Sequence, residues 1–184
     1  MDFLKQKQKQ LNMKDISSIG KWDKKIKKLC EKINKKENYY TTSSCSGRIA
    51  LIKADDKKKP GLFLFISHEK VMFSKLKKET KKIKENGLIN FKQEPCILAV
   101  ACKTLEDAQS LVNKAKLVGW KYSGIMSSSE RFVCEMRSTE KLELPLINKG
   151  KFLVNDAYLK LLLKEANRKL ERTWKKIDNL SKIV

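Results

Sequence analysis

The chain is 184 residues long with 41% hydrophobic content, enough for one domain with a real core and with no split into independent halves required. Its 42 Lys and Arg against 21 Asp and Glu leave a formal charge of +21. That exceeds what solubility needs and points to a polyanionic partner, nucleic acid first and a membrane surface second. No apolar run approaches the roughly 20 residues of a transmembrane helix, and no signal-peptide core follows the first charges, so no membrane association is expected.

Residues 1–13 are rich in Lys and Gln, with Phe3, Leu4 and Leu11 as the sizeable apolar side chains before Met13, and predict at best a frayed helical arm. Asp15 to Gly20 reads as a turn. Trp22, Ile26, Leu29, Cys30 and Ile33 then recur at spacings of three and four, an amphipathic helix ending near Asn38. The next stretch, Thr41-Thr42-Ser43-Ser44-Cys45-Ser46-Gly47-Arg48, crowds hydroxyls, a thiol, a glycine and an arginine together. Consecutive hydroxyl residues compete for backbone hydrogen bonds and Gly47 permits a positive φ, so a loop is predicted here. Such a loop suits an anion or polar substrate, and it is equally consistent with a Ser-rich turn entering a strand. Ile49 to Ile52 has strand character and would hold Arg48 at a strand edge.

Asp55 to Gly61 reads as a charged hairpin-like connection, and Leu62 to His68 as a strand with Leu62, Leu64, Ile66 and His68 on one face. Val71 to Asn86 has helical spacing with Gly87 as a stop, Leu88 to Phe91 is a short strand, and Cys96 to Cys102 is a strong strand signal. Thr104, with Asp107 after it, predicts an N-cap for a helix whose stripe runs Leu105, Ala108, Leu111, Val112, Ala115 and Val118 to a stop at Gly119. Tyr122 to Met126 and Arg131 to Ser138 read as strands around a turn at residues 127–130, and Leu142 to Leu146 as another. A long amphipathic helix follows from Asn155 or Asp156 through Ile177. Strand pairs and triplets separated by helices, without steady alternation, predict an α+β fold with loosely duplicated strand–helix units.

Cys30, Cys45, Cys96, Cys102 and Cys134 are odd in number and form no C-x-x-C pair, which indicates neither a disulfide framework nor a zinc site and fits a reducing, cytoplasmic compartment. His68 is the single histidine, so a His-rich metal site is excluded, no metal is expected, and acid–base chemistry near neutrality has one obvious candidate. No G-x-G-x-x-G, Walker loop or HExxH appears. Cys45, Arg48, His68, Glu94, Arg137 and Glu143 lie instead at strand ends, where side chains from separate segments can meet. A histidine ending a strand is often structural, Glu94 before Pro95 can simply cap a turn, and a Cys-His hydrolase would need an orienting partner that the sequence does not place.

Thr41 to Arg48, Ser67-His68, Glu94-Pro95 with Ile97-Leu98, Leu105 to Ala108, Gly119, Ser123-Gly124-Ile125, Arg137-Ser138-Thr139 and Leu142 to Leu146 together resemble the tRNA wybutosine-synthesizing protein 3 family, in the same order and over most of the chain. Ala99 departs from the pattern, standing where many members carry His, as does Phe65-Ile66 where relatives often carry Trp. The resemblance implies a single domain over residues 1–184, with duplicated units around one barrel-like mixed sheet flanked by N- and C-terminal helices. It also implies an S-adenosylmethionine-dependent methyltransferase acting on nitrogen-4 of the tricyclic aminocarboxypropyl-demethylwyosine base beside the anticodon of phenylalanine tRNA. On that reading His68 and Arg48 are catalytic, and Ser43, Ser44, Cys45, Gly47, Ser123 and Gly124 bind the cofactor. Glu94, Arg137, Ser138 and Glu143 bind the substrate. A non-catalytic basic RNA-binding protein is the alternative, and a Cys-His hydrolase, which would need a low-pKa thiol, is a third.

Overall fold

The computed structural model describes residues 2–13, 23–55, 60–128 and 131–184. The turn read at Asp15–Gly20, Trp22, the middle of the charged connection and the tip of the turn at 127–130 lie outside the described residues. Five helices and nine strands are described: α1 (Phe3–Asn12), α2 (Lys24–Asn34), β1 (Tyr39–Cys45), β2 (Arg48–Lys53), β3 (Phe63–Ser67), α3 (Phe73–Thr80), β4 (Leu88–Glu94), β5 (Ile97–Cys102), α4 (Leu105–Leu117), β6 (Tyr122–Ser128), β7 (Arg131–Arg137), β8 (Leu142–Asn148), β9 (Lys151–Phe152) and α5 (Asp156–Ile183). They fall into two compact units, one of residues 1–46, 96–139 and 173–184 and the other of 47–95 and 140–172.

The first unit is built on a four-stranded sheet in the order β1-β5-β7-β6, with every pair antiparallel. On one face Leu98, Val100, Cys134 and Met136 are buried with Ile26, Leu29, Cys30 and Ile33 of α2, the α4 stripe, and Ile177, Leu180 and Val184 near the chain's far end. The three-and-four spacing of α2 is thus the spacing of its buried face. α4 starts in a complete capping box: Thr104 accepts from the Asp107 N–H, and the Asp107 carboxylate accepts from the Thr104 N–H. α1 is more ordered than an isolated Lys/Gln segment would be. The Phe3 ring lies 5.2 Å from the Tyr40 ring, and Lys7 Nζ donates to the Lys36 carbonyl.

The second unit carries a five-stranded sheet in the order β3-β2-β4-β8-β9, again antiparallel throughout. Ile49, Leu51, Ile89 and Phe91 are buried, as are Leu76 of α3 and Leu159, Leu162, Leu163 and Ala166 of α5. The Asn167 amide closes a two-way bond with Val71, accepting from its N–H and donating to its carbonyl, both at 2.9 Å. α5 starts at an Asn155 cap, whose Oδ1 accepts from the Tyr158 N–H.

The α+β class is as the element order predicts, with two differences in detail. The strands form two sheets in place of one mixed sheet, and every ladder is antiparallel; the β2–β3, β6–β7 and β8–β9 connections are too short for a parallel crossover, while the other ladders join strands far apart in the chain. Thr41 to Cys45 is strand β1, with the irregularity of its ladder falling between Thr41 and Ser43; only Ser46 and Gly47 separate β1 from β2. Pairing with the whole of β5 outweighs the weak local preference of serine for turns, and β-branched Thr41 and Thr42 favour the strand. Gly47, at φ 89°, makes the turn that a side chain would resist. α3 is also shorter than the Val71–Asn86 reading, ending at Thr80.

Candidate functional site

In the second unit the chemistry gathers at one end of the sheet. Arg48 pairs with Glu94 across β2 and β4, and the Arg48 Nε donates to Glu94 Oε2 at 2.5 Å. The guanidinium carbon also sits 4.6 Å from the centre of the Phe63 ring on β3, so one face of the fork is held by an aromatic and one edge by a carboxylate. Ile49 pairs with Ser67, the last residue of β3, and His68 follows directly after the strand ends. His68 is half-buried there. Beneath this group Gln93 is fully buried; its amide nitrogen donates to the Glu94 carbonyl at 2.9 Å, while its Oε1 has no partner.

Glu143 lies two strands from Arg48, paired with Lys92. Lys92 donates to its carboxylate at 2.6 Å and Lys141 at 3.0 Å. The hydrogen bond from Lys92, followed by that from Lys141, holds the Glu143 carboxyl below the usual glutamate range. Its charge is thereby matched by two lysines.

In the first unit the register sorts the expected residues by face. Cys45, Ile97, Arg137 and Tyr122 form one row across all four strands, and Ser43, Ala99, Glu135 and Gly124 form the row two steps along. These rows share the face turned away from α2 and α4. Arg137 is half-exposed and ion-paired to Glu135 at 2.7 Å, and a side chain built at Gly124 would meet nothing within 4 Å. Ser44 and Ser123 belong to the intervening row with Leu98 and Met136, on the core face. Ser44 hydrogen-bonds the Cys30 thiol of α2, and Ser123 Oγ donates to the Trp120 carbonyl at 2.5 Å. Both therefore brace the sheet.

One step beyond the Cys45–Ile97–Arg137 row stand Ser46, Cys96 and Ser138. The Ser138 N–H donates to the Cys96 carbonyl at 3.2 Å, and the Ser46 N–H donates to the Asp23 carboxylate at 2.8 Å. Ser46 and Ser138 are completely buried, yet neither hydroxyl has a partner. Buried polar atoms are normally satisfied, so two orphaned hydroxyls at one end of a sheet mark a place for a polar guest. Sequence reasoning singled out Ser138 and passed over Ser46, Asp23, Phe63 and Gln93. The octapeptide offered Ser46 among near-identical neighbours, and the role of Phe63 depends on a register that no local pattern reveals.

The fold is shared with the solved PH1069 protein from Pyrococcus horikoshii OT3, at a TM-score of 0.85 and 34% identity, covering 98% of this chain and 92% of that one. In sequence the chain is 38% identical over 183 residues to the tRNA(Phe) 7-((3-amino-3-carboxypropyl)-4-demethylwyosine(37)-N(4))-methyltransferase of Thermococcus sibiricus, covering 97% of this chain and 92% of that protein. It is 37% identical to the tRNA wybutosine-synthesizing protein 3 homolog of Danio rerio, over 99% of this chain and 74% of the relative. These likenesses define the class, an α+β methyltransferase. The chain belongs to the family described as Methyltransferase TYW3, whose profile matches residues 3–184.

Proposed function

We propose that the chain methylates nitrogen-4 of the tricyclic aminocarboxypropyl-demethylwyosine base next to the anticodon of phenylalanine tRNA, in the cytoplasm, with S-adenosylmethionine as donor. The family match over residues 3–184 carries this reading, together with the activity named for the relative from Thermococcus sibiricus. Among the described residues no helix is long and apolar enough to cross a membrane. The charge of +21 suits a substrate whose phosphates surround a loop of splayed bases.

The donor set fits the methyl donor. The unpartnered Ser46 and Ser138 hydroxyls, the exposed Ser43 and the open backbone at Gly124 offer hydrogen bonds and room for an amino acid and a ribose. When bound, S-adenosylmethionine supplies an electrophilic methyl group on a sulfonium. Ser43, Cys45, Ser46, Gly124 and Ser138 hold it on this reading, with Ser44 and Ser123 fixing the strands that carry them. Arg48, fixed by Glu94 and Phe63, orients the anionic side of the substrate, and Arg137 and Glu143 add contacts to the RNA. The His68 imidazole accepts the proton from the reacting nitrogen. Cys45 packs as a small side chain, since methyl transfer requires no covalent enzyme intermediate.

The decisive assay uses phenylalanine tRNA from cells lacking the enzyme, incubated with the protein and S-adenosylmethionine. Nucleoside mass spectrometry should find one added methyl group on the modified base. RNA binding with no mass gain, and no calorimetric binding of S-adenosylmethionine, would leave a non-catalytic RNA-binding protein.

A further inference from the structure

Away from the Arg48 end of its sheet, the second unit has a cavity of about 150 Å3, walled by Lys77 and Thr80 of α3, by Lys81 just after it, and by Ile147, Gly150 and Phe152 from the β8–β9 hairpin. One of its cations, Lys77, is held by aromatic rings. Lys77 Nζ lies 4.7 Å from the Phe152 centroid and 5.8 Å from that of Phe73, and Lys160 Nζ on α5 lies 5.2 Å from Phe73. Lys77 is partly neutralised by Asp156 at 2.8 Å. Ring contacts of this kind anchor flexible lysine stems and lower the entropy lost when the ammonium groups meet an anion.

The hairpin adds a second, independent observation. Lys149 and Gly150 link β8 to β9 with φ 48° and 72°, the positive pair of a type I′ turn. Asn, Asp or Gly is preferred at the first of these positions, and among the described residues Lys149 is the one non-glycine with positive φ. A lysine kept in a conformation that costs about 1 kcal/mol calls for a reason beyond turn geometry. It is flanked by Lys151 and stands next to a glycine whose missing Cβ leaves open space over the cavity wall.

We propose that this cavity is an RNA-binding site distinct from the one for the reacting base, taking one nucleotide of the same RNA strand. The phosphate lies against Lys77, Lys81 and the Lys149–Lys151 hairpin, and the ribose and base against Ile147 and Phe152. The proposal rests on the substrate being tRNA. A cluster of ammonium groups around an apolar floor matches an anionic backbone carrying a flat heterocycle; a bare phosphate would leave that floor unused.

The test measures binding of a full-length phenylalanine tRNA transcript across a salt series by fluorescence anisotropy, for the wild type and for a Lys81→Ala, Lys149→Gly double variant. Glycine at 149 removes the charge and the strain together, so the melting temperature should hold; Lys149→Asn, which also tolerates the left-handed region, replaces it if stability falls. The expected result is a weaker Kd and a slope of log Kd against log salt lowered by about 2, one for each phosphate that a lysine no longer neutralises. The loss should fall on KM for the RNA and spare kcat. An unchanged Kd and slope overturn the site, as does a loss confined to binding of anionic phosphatidylserine vesicles. Methyl transfer by the wild type is scored separately. Transfer with lysine-independent binding would sink this site and keep the activity, whereas lysine-dependent binding without transfer would do the reverse.

Discussion

Arg48 uses its whole guanidinium: Nε donates to Glu94, while the planar face lies over Phe63. A lysine at this position could satisfy the carboxylate but would lose the fixed fork that presents the remaining donors. Arg48→Ala should therefore abolish methyl transfer with the fold retained, and Arg48→Lys should restore little of it in a single-turnover assay; full rescue by lysine would reduce the site to a point charge. His68→Ala should lower the single-turnover rate at saturating RNA and donor by about 100-fold to 10,000-fold, with both dissociation constants nearly unchanged. A lower melting temperature with intact activity would return His68 to a structural role. Two buried acids also set an alkaline limit on stability. Burial raises the Cys30 thiol to about 11 and the Tyr39 phenol to about 12. Folding favours the neutral form of both, so their contribution is complete below the unfolded values and is lost as pH climbs through the folded ones. Stability should thus decline between about pH 9 and 12, with about 3 kcal/mol of the loss from Cys30. Denaturant titrations along a pH series read this directly, and Tyr39→Phe should flatten the upper part of the curve.

At the scale of elements, α4 shows how much a local pattern can tell. Its apolar stripe, Thr104 and Asp107 predicted both the helix and its reciprocal cap, because everything that fixes the start of a helix lies within four residues. Thr104→Ala should cost about 1 kcal/mol and lower the melting temperature by roughly 2 to 4 °C. The strand edges at Arg48 and Arg137 were legible within short windows, one before the apolar run Ile49 to Ile52 and the other near the end of the Arg131 to Ser138 strand, whereas the strand read over Leu88 to Phe91 runs on to Glu94. β1 was not legible, because its hydroxyl residues become a strand only through β5, more than 50 positions later, and no window of sequence contains both partners. The faces followed suit. Whether Ser43 or Ser44 turns toward the core depends on the irregularity between Thr41 and Ser43 and on the Cys30 thiol waiting behind it. Phe63 under Arg48 was hidden likewise, since the β2–β3 ladder slips at Ile52 and shifts the count along β3.

For the molecule as a whole the charge of +21 dominates encounters with RNA. The logarithm of the tRNA association constant should fall linearly and steeply with the logarithm of salt concentration, and a flat response would remove nucleic acid as the partner. The interleaving of the chain has another outcome. Residues 47–172 contain all of the second unit, whereas the core of the first needs Ile177, Leu180 and Val184. As the ribosome emits the chain, β1 and α2 emerge early but cannot complete their core until residues 173–184 exist. The usual order, in which the N-terminal body folds first, is thereby reversed. A fragment ending at Arg172 should already protect β2, β3, β4 and β8 from protease while leaving β1 and α2 open to cleavage, so the unit whose strands begin earliest along the chain is the one whose core closes last.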